Sequence, residues 1–162
     1  PIRAKWYLWM PSPKRRAARF SASSCANKRD MKLWNYAVKV ADLEDASAFY
    51  VRTLNAEPRI KGTVLGCDYR LLRLGDTRIF LFTRAPYEDL LGEDLPLGFL
   101  HVVFEVEDFD ARVAALKREG ATFFMEPQEI EAEFGRRRIA FFVAPGGVRT
   151  EIMEIIEDSG LA

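Results

Sequence analysis

The feature that most constrains this chain is an internal repeat. Residues 35–46 recur in pattern as residues 101–112, an offset of 66 positions at which Val40 matches Val106, Asp42 matches Asp108 and Leu43 matches Phe109. In each copy a β-like run meets an acidic turn and then a helical pattern. Two such units can curve around a common cleft, with each half covering the other's exposed edge.

The acidic turn has a mechanical reason. Asp42 and Asp108 are placed to cap helices, their carboxylates accepting from free amides of the first turn. Glu44, Asp45 and Asp110 then lie near the positive end of the helix dipole. Leu43, Ala46, Phe49, Tyr50 and Leu54 follow helical spacing, as do Phe109, Val113 and Leu116. Asn55 and Gly120 stand where each helix should stop, since both residue types tolerate the left-handed conformation. Strand patterns follow near 56–61, 67–74 and 77–83, with a turn at Gly75-Asp76, and near 121–126, 136–143 and 148–156, with a turn at Pro145-Gly146-Gly147. The reading is an α+β fold of two tandem βαβββ modules, 32–83 and 99–157, joined by a Pro-, Gly- and acid-rich linker at 84–98. Together they form curved mixed sheets around a cleft in a domain spanning 31–162.

Charge separates this domain from what precedes it. Residues 1–30 hold eight Lys or Arg against one acid, Asp30, whereas the rest carries 16 basic and 23 acidic residues. Three readings fit this basic leader: a targeting peptide, an arm touching an acidic surface, or a boundary extension ahead of Met31. The third is favoured, because no nucleic-acid contact motif accompanies the charge. No apolar run approaches the ~18 residues a membrane span needs. The two cysteines, Cys25 and Cys67, suggest no disulfide framework, so the expected location is cytoplasmic. Neither a nucleic-acid nor a membrane partner is expected. Arg136-Arg137-Arg138 reads as a partly solvated strand edge.

The succession Val-x-Asp-[Leu/Phe] before each helix, Phe49-Tyr50 within the first, and the run from Phe141 through Pro145-Gly146-Gly147 to Ile152 resembles the vicinal-oxygen-chelate superfamily. That superfamily comprises the glyoxalase, bleomycin-resistance and dioxygenase proteins, and the resemblance covers about residues 32–157. It implies a cleft with four inward positions that hold a metal in many members: a His opening each half and a Glu on each half's last strand. His101 and Glu151 match the second-half positions. In the first half Asn35 stands for the His, and the Glu position falls at or near Phe80. The resemblance also implies a homodimer.

One imidazole and one carboxylate fall short of the three protein ligands of a catalytic zinc or the two His and one carboxylate of non-heme iron. No cofactor is therefore expected, and a divalent metal is disfavoured, with His101 and Glu151 as weak candidate ligands. Both are also candidate catalytic residues, as a metal-free acid–base pair. The bland alternative is a hydrogen-bonded strand His and a rim carboxylate. Strand alternation adds Lys39 and Glu105, repeat equivalents that could pair across the cleft or end as solvated strand termini. Phe80, Phe82 and Met153 add apolar walls. The ligand-binding set is thus Asn35, Lys39, Phe80, Phe82, His101, Glu105, Glu151 and Met153. The function expected is metal-independent binding of a small molecule, as in bleomycin-resistance proteins. The alternative is a lyase, isomerase or oxygenase using His101 and Glu151, and a third reading is a module whose cleft is closed by its own side chains.

Overall fold

The computed structural model describes residues 31–162, so the readings of the basic leader lie outside the described residues. The first half comprises β1 (Lys32–Lys39), α1 (Leu43–Leu54), β2 (Glu57–Val64), β3 (Cys67–Leu74) and β4 (Thr77–Phe82). A connection holding the short helix α2 (Glu88–Leu91) leads to the second: β5 (Gly98–Glu105), α3 (Phe109–Arg118), β6 (Phe123–Ala132), β7 (Gly135–Ala144) and β8 (Val148–Asp158). The expected caps form: Asp42 accepts from the Asp45 amide at 2.8 Å and Asp108 from the Ala111 amide at 3.2 Å. Asn55 closes α1 with φ of 53°, in the left-handed region.

The eight strands make a single sheet in the order β2-β3-β4-β1-β5-β8-β7-β6. Each half covers the other's exposed edge as expected, and it does so by direct strand pairing, so the two four-stranded units merge into one sheet. The halves are continuous, because β1 and β5 pair edge to edge in antiparallel fashion and so remove each other's free edge. Tyr36 faces Val102 across that seam. These two residues are themselves repeat equivalents, so a pseudo-two-fold axis passes between them.

The sheet curls into a half-barrel whose two faces are buried for different reasons. On the convex side, α1 places Leu43, Ala46 and Tyr50 over Leu72, Ile79 and Leu81, and α3 places Phe109, Val113 and Leu116 over Ala140, Phe142 and Ile152. Each fully buried side chain of this kind contributes about 1.5–3 kcal/mol. The concave side is lined by the other parity of the same strands, including Phe80, Phe82, Phe141 and Met153. Burial on both faces explains the unbroken apolar run Ile79-Phe80-Leu81-Phe82. Phe49 and Leu54, expected in the α1 core, are exposed, since the helix contacts the sheet along a narrower stripe than the sequence spacing suggests. β6 runs to Ala132, well past the expected strand end at 126. Register shifts on either side of Met125 accommodate Pro127 and break the alternation a sequence reading relies on.

The outermost strands approach each other at the far side of the half-barrel. Gly62 of β2 lies against the Glu133 carboxylate at the β6–β7 turn, and the Tyr69 hydroxyl donates to Glu133 Oε2 at 3.1 Å. The neighbouring turn residue Phe134 inserts its ring beside Tyr69 and Phe80, with centroid separations of 5.8 and 5.9 Å.

Candidate functional site: an aromatic cavity with polar groups at two ends

The concave face encloses a cavity of about 50 Å³. Asn35, Phe80, Phe82, His101, Glu151 and Met153 line it together. Strand register makes their relationship definite. Ala37 pairs with Phe80 in the first half and its repeat equivalent Val103 pairs with Glu151 in the second, so Phe80 occupies the position equivalent to Glu151. Asn35 faces Val103 while His101 faces Ala37, which sets the equivalent residues Asn35 and His101 on either side of the pseudo-two-fold axis.

His101 is buried and held at both ring nitrogens. Nδ1 lies 3.1 Å from the Tyr87 hydroxyl and Nε2 lies 3.4 Å from Glu151 Oε2. The Tyr87 hydroxyl hydrogen-bonds Nδ1, and the Glu151 carboxylate, which can only accept, stands beside Nε2. Burial holds the Tyr87 phenol well above its ordinary pKa, which keeps it protonated. The rings of Tyr87 and Phe141 stand at 5.5 and 5.1 Å from the imidazole, fixing its plane.

Lys39 and Glu105, the remaining candidates, are not among the cavity residues, and of the two readings for them the mutual ion pair does not form, while Lys39 is buried and not a solvated strand end. Antiparallel pairing about the pseudo-two-fold axis separates equivalent residues in proportion to their distance from it. Lys39 therefore faces Gly98, and Glu105 faces Lys32, at opposite ends of the seam. Lys39 instead binds Asp94 at 2.5 Å, Glu88 at 2.8 Å and the Leu95 carbonyl at 2.7 Å, all from the connection between halves. The hydrogen bonds to Asp94 and Glu88 raise its pKa.

The structure adds residues the sequence reading missed. Trp34 joins Asn35 on the inner face because a register shift between Leu33 and Asn35 turns two successive side chains inward. Tyr87 and Pro86 come from the connection, where no periodicity marks them. Arg137 is the largest correction. Expected at a solvated edge, it is fully buried and lines the cavity, because β7 is flanked by β8 and β6 rather than lying at the sheet edge. Arg136 and Arg138, of the opposite parity, keep the expected solvent-facing role, with Arg138 paired to Asp110 at 2.5 Å.

The residues present do not fit a chelated metal centre. The 3.4 Å between His101 Nε2 and Glu151 Oε2 equals roughly one edge of a tetrahedron with ~2.0–2.1 Å bonds. The two positions related by the pseudo-two-fold axis, however, present an amide and a phenyl ring. Among the described residues no three His, Cys, Asp or Glu side chains converge as metal ligands.

A family model described as the glyoxalase/bleomycin resistance protein/dioxygenase superfamily matches residues 35–141. Solved structures share the fold. A hypothetical protein from Bacillus halodurans superposes with a TM-score of 0.64 at 23% identity, covering 79% of this chain and 96% of that one. Methylmalonyl-CoA epimerase from Mycobacterium tuberculosis gives 0.61 at 22%, covering 77% and 88%. A variant of 4-hydroxymandelate synthase from Streptomyces coelicolor gives 0.59 at 17%, covering 80% of this chain and 51% of that one. No curated protein matches.

Proposed function

The chain belongs to the glyoxalase/bleomycin resistance protein/dioxygenase superfamily, and from that premise we propose that it binds a small organic molecule in the aromatic cavity without a metal. The observation that carries this reading is the pairing register that sets Phe80 at the position equivalent to Glu151. An apolar ring there removes a ligand and supplies a wall, and a cavity of apolar walls with a few polar anchors is what organic ligands use. At about 50 Å³ the cavity holds only a few waters. A larger occupant displaces the Phe134 ring, which a hairpin turn supplies.

The test is metal content of the purified protein, then titration with zinc, nickel and manganese in wild type and His101→Ala. His101 is the only histidine, so its imidazole resonance in untagged protein reports occupancy of the cavity directly. Absence of metal, with an imidazole shift on addition of organic probes, supports the reading. Stoichiometric metal that disappears in His101→Ala overturns it.

A second reading rests on the Tyr87–His101–Glu151 chain, which favours an enzyme of the lyase or isomerase type with Glu151 accepting a proton and His101 holding the carboxylate in place. Turnover of a candidate substrate, lost in Glu151→Gln at unchanged thermal stability, would select it. Two further elements belong to the proposal. A cytoplasmic location is consistent with the free buried thiol of Cys67, and no described helix is long and apolar enough to cross a membrane. A homodimer is consistent with the exposed repeat-equivalent residues Leu33 and Phe99, and sedimentation equilibrium decides it.

A further inference from the structure

Arg137 is a buried charge for which the proposed binding role has so far found no use. Its side chain is fully excluded from solvent, yet it borders the cavity. The guanidinium is fixed by backbone carbonyls: Nη2 donates to Phe134 O at 2.7 Å, and Nη1 to Arg136 O at 3.0 Å and to Glu157 O. These partners carry no full negative charge. The guanidinium's one carboxylate partner among the described residues, Asp158, forms a salt bridge with Nη2 at 3.6 Å, with its own side chain half exposed to water. Nε is buried and has no hydrogen-bond partner among the described residues. A second guanidinium, Arg78, lies over the ring of cavity residue Trp34 at 4.7 Å, and its Nε is likewise buried without a described partner.

With Nη1 and Nη2 engaged, Nε is the guanidinium donor left for a ligand, and a carboxylate makes a stronger, charge-assisted bond to it than a neutral acceptor does. A buried donor left unpaired is costly, so an acceptor at Nε is favoured. The other end of the cavity has the opposite character. Glu151 pairs with Phe141 on β7, four residues along the strand from Arg137, a backbone separation of roughly 13 Å. Glu151 repels an anion there, while Phe80, Ile139 and Phe141 between the two ends offer apolar surface. Resting on the cavity reading above, we propose that the ligand is a small monocarboxylate with an apolar body, its carboxylate docked on Arg137 and its body directed toward Glu151. Desolvation pulls the Arg137 guanidinium below the usual arginine pKa, with Asp158 opposing, so a bound anion relieves a cost the folded chain already carries.

The experiment titrates untagged, imidazole-labelled protein with benzoate and with its neutral near-isostere benzamide, following the single His101 resonance. Benzoate is expected to bind about tenfold or more tightly than benzamide, the effect of one charge-assisted hydrogen bond. Arg137→Met is expected to abolish the preference and Arg137→Lys to weaken it. If Arg137→Met does not fold, the wild-type ratio and Arg137→Lys carry the test. Equal affinities for the two probes overturn the carboxylate assignment and leave the cavity reading standing. A benzoate preference unchanged in Arg137→Lys and Arg137→Met places the anion elsewhere and also overturns it. No shift with either probe, up to tens of millimolar, overturns the cavity reading and the carboxylate assignment with it.

Discussion

Asn35→His converts the asymmetry of the cavity into a measurable gain. Asn35 and His101 are diagonal neighbours on paired strands, a separation of roughly 7–8 Å between backbones. Two imidazoles at that spacing can reach a common ion. His101 and Glu151 already stand 3.4 Å apart, close to the ligand–ligand edge of zinc coordination. The substitution raises the donor set from two to three, the minimum of a catalytic zinc site. Zinc at a hundredfold excess over its dissociation constant stabilises the folded state by about 2.7 kcal/mol. For a chain of this size that shifts Tm upward by roughly 5–10 °C. The assay is thermal unfolding of untagged wild type and Asn35→His, each with and without zinc, so any intrinsic cost of burying the new imidazole cancels. A zinc-dependent rise in the variant alone is expected. The same rise in wild type, or none in the variant, would show that the donor count does not govern zinc binding in this cavity.

Phe80→Ala is expected to destabilise by about 3–5 kcal/mol, because its ring packs against Trp34, Tyr69, Phe82 and Phe134; a lower urea midpoint at unchanged slope checks this. Tyr87→Phe removes the hydroxyl hydrogen-bonded to His101 Nδ1 and is expected to cost about 1–3 kcal/mol through the buried ring nitrogen left unpaired. The imidazole nitrogen shifts should then change most at Nδ1, the nitrogen that loses its partner. The Lys39 cluster predicts a pH signature. Hydrogen bonding to Lys39 lowers the Asp94 pKa, so the stabilisation from Asp94 is present above the ordinary aspartate value and is lost as pH falls through the lowered one. The pKa of Lys39 is raised, so its stabilisation is complete below the ordinary lysine value and is lost as pH rises through the raised one. Tm measured against pH should therefore lose part of its acid limb in Asp94→Asn and part of its alkaline limb in Lys39→Met.

The repeat alone determined a great deal. Equal spacing from His101 to Asp108 and from Asn35 to Asp42 identified which residues are equivalent, because capped helices fix where each strand must end. The family resemblance set Glu151 and the Phe80 position facing the cleft, and period-two alternation then put Met153 and Phe82 on those same faces, since a strand's parity is a local property. Parity names a face but not a neighbour. Only the antiparallel seam through Tyr36 and Val102 decided that Asn35 and His101 adjoin while Lys39 and Glu105 part. Trp34 entered the cavity through a register shift with no sequence signature, and Tyr87 came from a connection without periodicity. Arg137 shows the limit most clearly. Three successive arginines look like solvated surface; parity puts Arg137 on the face of Ile139 and Phe141, but whether that face is buried depends on β7 being an interior strand between β8 and β6. That choice is made by contacts far apart in sequence, which no local pattern encodes.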